Sequence, residues 1–169
     1  MLAIGSIGII TVCGLFGLWL AERSRGRPRE LREFLTLLSL LDTEIVWGAT
    51  PLPEAFASLS ARATRPWQGF FADLKQCLQR GQPAGQAWRD TVDGQRKNFC
   101  LKAEDWPVIA DIGKGLGRSD RHEQHKQLEL GQRQLDLLRE QAAQWAEKQA
   151  KMWSYLGFLT GIAVVILLL

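Results

Sequence analysis

Two stretches of this chain, Met1 to Ala21 and Met152 to Leu169, contain no Asp, Glu, Lys, Arg or His. They confine all 21 basic and 18 acidic residues to the segment 22–151. A bilayer's hydrocarbon core is about 30 Å thick and an α-helix rises about 1.5 Å per residue, so about 20 apolar residues cross it. Both ends are read as transmembrane helices, 1–21 and 152–169, flanking a domain over 22–151. A cleaved leader is the weaker reading of the first end. No Lys or Arg precedes its apolar run, and Leu20-Ala21-Glu22-Arg23 lacks the small residues of a cleavage site.

The net charge of +3 is local. Glu22, Arg23, Arg25, Arg27 and Arg29 account for it, and from Glu30 onward 17 basic residues balance 17 acidic ones. Arg23, Arg25, Arg27 and Arg29 follow the first span, while Lys148 and Lys151 precede the second. Basic residues stay on the cytoplasmic side of spans, so the domain is expected in the cytoplasm and both termini outside. A neutral domain also lacks the basic stripe of a nucleic-acid binder, so no nucleic-acid partner is expected. Within the spans, Gly17 and the pair Gly157 and Gly161, spaced GxxxG, are candidates for close helix packing in lipid.

Between the spans the punctuation is helical. Pro28 suits a first turn, and Leu31, Phe34, Leu35, Leu38, Leu41 and Ile45 share a face that ends at Gly48. Thr50-Pro51 then offers an N-cap and first-turn proline for a helix through Leu52, Ala55, Phe56 and Leu59. A third helix runs from Pro66 to Gly81, a fourth over Ala84 to Arg96, and a fifth over Ala103 to Ile112. After the glycines of Gly113-Lys-Gly-Leu-Gly117, Asp120 opens a final helix that nothing stops before the C-terminus. The fold class is all-α: two transmembrane helices flanking an antiparallel bundle of about six helices, the last continuous into the membrane.

That last helix carries Leu128, Gly131, Leu135, Leu138, Ala142, Trp145, Gln149 and Met152 at alternating steps of 3 and 4. The seam is of heptad type. Its expected partner is the first helix of the domain, packed antiparallel; a homo-oligomer through the same seam is the alternative. Trp67, Trp88, Trp106 and Trp145 fall on apolar faces and are assigned to the core, while Trp47 suits either core or interface.

No catalytic constellation is visible. Gly113-Lys-Gly-Leu-Gly117 has neither the spacing nor the strand-to-helix setting of a phosphate loop. His122 and His125 have no third metal ligand fixed by a motif, and three cysteines are too few and scattered for a zinc site or disulfide framework. Carboxylates alternate with basic residues and read as solvated faces. No enzyme activity, metal or cofactor is expected.

Several segments in register along the chain resemble the stage III sporulation protein AB family. They are Arg27-Pro28-Arg29, then Glu44-Ile45-Val46-Trp47-Gly48-Ala49-Thr50-Pro51-Leu52, Ala87-Trp88, Leu116-Gly117-Arg118-Ser119-Asp120, and Leu156-Gly157. The resemblance implies a membrane subunit of the sporulation channel complex joining mother cell and forespore, in the mother-cell membrane around the forespore. It implies a domain similar to the inner-membrane platform proteins of type II secretion. The implied partners are a companion ATPase, stage III sporulation protein AA, and other channel proteins.

The function expected is therefore a non-enzymatic platform subunit whose domain docks an ATPase or assembly partner. The alternative is a self-associating membrane-anchored adaptor or sensor. Candidate contact residues are Thr50 at one motif turn and Arg118, Ser119 and Asp120 at the other.

Overall fold

The computed structural model describes residues 25–117 and 121–168. They form six α-helices: α1 Gly26–Val46, α2 Leu52–Arg62, α3 Trp67–Gln79, α4 Ala84–Gln95, α5 Trp106–Ile112 and α6 Arg121–Leu168. Two short 3-10 turns, Arg96–Asn98 and Gly113–Gly115, link α4 to α5 and α5 to α6. The described residues contain no strand. The chain divides into two compact units, one of residues Arg29–Arg139 and one combining Met1–Pro28 with Glu140–Leu169.

Local sequence explains the breaks. Proline sits in the first turn of α2 and of α5, where its missing N–H has no helical partner to lose. Gly81 ends α3 with φ 83°. Its N–H bonds Leu78 O at 2.9 Å and that of Gln82 bonds Cys77 O at 3.2 Å, the paired closure that a left-handed glycine permits.

The unit 29–139 is built on aromatic rings. Phe34 of α1 stacks on Trp67 of α3, with centroids 4.1 Å apart and planes 9° from parallel. Phe70 meets Trp88 edge-on at 5.3 Å, and Phe99 meets Trp106 at 5.4 Å. Such pairs add about 0.5–1.5 kcal/mol each to what their buried area contributes. The indoles also have polar ends to satisfy. Trp67 Nε1–H donates to Glu30 O at 2.9 Å, and Trp88 Nε1–H donates to Ile109 O at 2.8 Å near the end of α5.

Two glycines let backbones approach where a side chain would collide. A Cβ on Gly113 would lie 2.1 Å from Trp88 Cγ, and one on Gly131 would lie 2.4 Å from Ile112 Cγ1. The second fits α6 against α5 within the unit 29–139.

The seam of α6 differs from its heptad reading. Gln124, Leu128, Gly131 and Leu135 are buried, and further along Ala142 and Ala146 are buried while Trp145 is 45% exposed. A straight α-helix repeats every 3.6 residues, so a line of burial drifts one position from a 3.5-residue template. Trp145 is thus corrected from core to surface. On α1, Leu37 is buried and Leu35 only partly so.

Among the described residues no helix is long and apolar enough to cross a membrane. The expected span 1–21 lies outside the described residues. The expected span 152–169 belongs to α6 as far as Leu168, and there Met152, Tyr155, Leu156 and Leu159 expose their side chains.

Candidate partner-docking site

Helix α1 contains four acidic residues, Glu30, Glu33, Asp42 and Glu44, and each reaches a different segment of the unit 29–139. Glu30 Oε2 accepts the Cys100 N–H at 2.8 Å. Burial pushes the Glu30 carboxyl above the usual carboxylate range, and the bond from Cys100 opposes this in part. Glu33 takes the Thr64 N–H at 2.5 Å and its hydroxyl at 2.6 Å. Asp42 lies against His125 of α6, with Nδ1 2.8 Å from Oδ1. Glu44 Oε2 accepts the Thr50 hydroxyl at 2.7 Å. The expectation of merely solvated faces is corrected: these carboxylates fasten loops and α6 to one helix. Periodicity could not reveal this, because each partner is defined only by the tertiary fold.

Asp42 and His125 fix the direction of the two long helices. A groove lined by Leu35, Thr36 and Ser39 of α1 and by Gln132, Arg133 and Asp136 of α6 continues the pairing. Residue numbers rise along one helix as they fall along the other. The antiparallel α1–α6 pair expected from the seam is therefore present in this unit, and Leu128 and Leu135 are buried in it.

The turn after α1 is tightly specified. Trp47 N–H and Gly48 N–H both donate to Thr43 O, at 3.0 and 3.2 Å, and Thr50 N–H donates to Glu44 O at 3.1 Å. Ala49 takes φ 50°, a left-handed conformation uncommon outside glycine. A Cβ on Gly48 would stand 2.7 Å from Thr50 Oγ1 and 2.8 Å from Glu44 O. Thr50 is not the N-cap of α2, as the sequence suggested. Pro51 occupies that place, and the Thr50 hydroxyl closes the end of α1 instead. The turn leaves Trp47 85% exposed, which corrects any core role for this indole.

The glycine corner comes to the same place. Gly117 has φ 75°, and a Cβ there would lie 3.3 Å from Ala84 Cβ and 3.4 Å from Leu52 Cδ1. The turn Trp47–Leu52 and the corner 113–117 are thus neighbours, at the end of α1 where α6 begins. Arg118, Ser119 and Asp120 lie outside the described residues, next in sequence to Gly117, so only Thr50 of the four candidate contacts is described. Trp47 was not among those candidates. An aromatic flanked by a glycine stop is the signal that could have singled it out.

Of the other predicted residues, Gly17 and Arg23 lie outside the described residues. Arg25 and Arg29 are exposed and Arg27 is 7% exposed. Lys148 is exposed, and Lys151 pairs with Glu147 at 2.8 Å. Gly157 and Gly161 lie on the helical backbone of α6. Among the described residues no group of three His, Cys, Asp or Glu is placed to hold a metal ion.

Comparisons with known proteins point to one family. The family model described as Stage III sporulation protein AB matches residues 2–169. The chain is 28% identical over 167 residues to the stage III sporulation protein AB of Bacillus subtilis (strain 168), covering 98% of each. A solved structure of a stage III sporulation protein AB is also similar, with TM-score 0.68 and 28% identity. That likeness covers 72% of this chain and 96% of the solved one.

Proposed function

The chain belongs to the stage III sporulation protein AB family, and from that premise we propose that this sporulation protein is a non-enzymatic platform subunit of a membrane channel complex between mother cell and forespore. Its ends anchor it in the mother-cell membrane around the forespore. Its helical domain stands in the cytoplasm and docks the companion ATPase, stage III sporulation protein AA. The observation that carries this reading is the meeting of two motif turns, Trp47–Leu52 and the corner ending at Gly117, through Leu52 and Gly117, together with the exposure of Trp47 in the first of them.

Exposed Trp is the residue type that most often dominates binding when a partner covers it. The position of the turn supports a docking role. Helix α1 runs about 30 Å from Gly26 to Val46, and the turn follows at its far end. The charge-free ends and the exposed apolar side chains of Met152, Tyr155, Leu156 and Leu159 support a lipid environment for the termini. Helix α6 then connects the docking end to the bilayer as one continuous element.

The alternative, a self-associating adaptor using the heptad seam, is disfavoured by the burial of Leu128, Gly131 and Leu135 within the unit 29–139. Co-purification tests the proposal. Full-length protein solubilised from membranes should capture stage III sporulation protein AA, and Trp47→Ala should reduce capture at least tenfold at unchanged folding. Equal capture by both proteins would remove the docking role of this turn. An alkaline phosphatase fused after Leu169 should be active outside the cytoplasm.

A further inference from the structure

The hairpin of α2 and α3 carries a groove that the docking turn does not use. A cavity of 750 Å³ opens among Ser60, Arg65, Gln68, Gln95 and Asn98. Through Ser60, Gln68 and Ala72 it continues into a second space of 480 Å³ that reaches Lys75 and Gln79. From Pro66 to Gln79 the helix advances about 20 Å, the length of about six residues of extended chain.

The lining of this groove carries two cations, Arg65 and Lys75, against one carboxylate, Asp73. Elsewhere the cations Lys114, Arg133 and Lys151 pair with carboxylates three or four residues earlier in the chain. Arg65 and Lys75 have no such partner among the described residues. Asp73, the one carboxylate in the lining, is held by Gln95 Nε2 at 2.5 Å. Gln95 Oε1 in turn accepts from Asn98 Nδ2 at 2.6 Å. The remaining lining is rich in primary amides, which can donate to and accept from a peptide backbone. Arg62 and Arg80, also on the hairpin, add positive charge.

We propose that this groove binds an extended acidic segment of a partner protein, with side-chain carboxylates on Arg65 and Lys75 and its backbone along the amides of Gln68 and Gln95. Charge-assisted bonds to carboxylate give such a site its selectivity, and the amides give it register. It is a second contact surface, on the hairpin and not at the docking turn.

The test uses full-length protein in lipid nanodiscs and a fluorescein-labelled hexaglutamate peptide, read by anisotropy at low and moderate salt. Wild type should bind, and binding should weaken as salt rises. Arg65→Glu with Lys75→Glu should weaken it at least tenfold. Ala72→Trp fills the groove without changing charge and should do the same. Arg32→Glu with Lys126→Glu, an equal charge change elsewhere, should stay within twofold of wild type, and circular dichroism should show all variants folded. An equal loss in that control pair, wild-type binding by Ala72→Trp, or no binding below millimolar peptide would overturn the proposal. So would a dimer that Arg65→Glu with Lys75→Glu dissolves, because it would assign the groove to a second copy of this chain.

Discussion

His125 Nδ1 lies 2.8 Å from Asp42 Oδ1 and 2.9 Å from Oδ2, joining α6 to α1 across 83 positions of sequence. The hydrogen bond to Asp42, reinforced by its charge, raises the His125 pKa above 6.5. A histidine whose folded pKa is raised contributes stability that is fully present below its unfolded value and is lost as pH rises through the folded value. Melting temperature should therefore fall as pH is taken upward from 6.5. His125→Asn should flatten that part of the profile, and an unchanged profile would show that this contact does not govern it.

Gly113 offers a sharp steric test. Its Cβ would overlap Trp88 at 2.1 Å, whereas Gly94 has nothing within 4 Å. Gly113→Ala should destabilise by about 1–3 kcal/mol because the core must shift to admit a methyl group. Gly94→Ala, in α4, should be neutral or stabilise by up to about 1 kcal/mol. Urea unfolding of the two variants distinguishes them.

Trp88 both fills the aromatic core and donates to Ile109 O. Trp88→Phe keeps a ring but leaves that carbonyl without the indole donor, and should cost about 1–3 kcal/mol. Trp88→Ala should cost about 3–5 kcal/mol. Thermal unfolding with both variants separates the hydrogen bond from the packing.

The turn after α1 makes two opposite predictions. Ala49 holds φ 50°, so Ala49→Gly should stabilise the turn by about 1 kcal/mol through relief of left-handed strain. Thr50→Val removes the hydroxyl bonded to Glu44 and should destabilise by about 1 kcal/mol. Denaturation midpoints measure both.

The helices of the bundle could be read from proline, glycine and apolar spacing because those signals are local. Leu31, Phe34, Leu41 and Ile45 are buried as their spacing requires, and α3 closes at Gly81. Trp145 was misplaced because a 3.5-residue template was applied to a helix that drifts from it. Thr50 was misread because a hydroxyl before proline resembles an N-cap, and only the folded turn shows it facing back to Glu44. The motifs at 44–52 and 116–120 stood out as separate pieces of sequence. Their adjacency through Leu52 and Gly117 depends on contacts that no spacing encodes.

Site-specific photo-crosslinking tests the central claim most directly. A photoreactive phenylalanine analogue at position 47 of the full-length protein, in membranes that also contain stage III sporulation protein AA, should crosslink to that ATPase. The same analogue at Leu137, an exposed position on α6, should not. Crosslinking from 137 but not from 47 would contradict docking through the Trp47 turn, as would no ATPase adduct from either position.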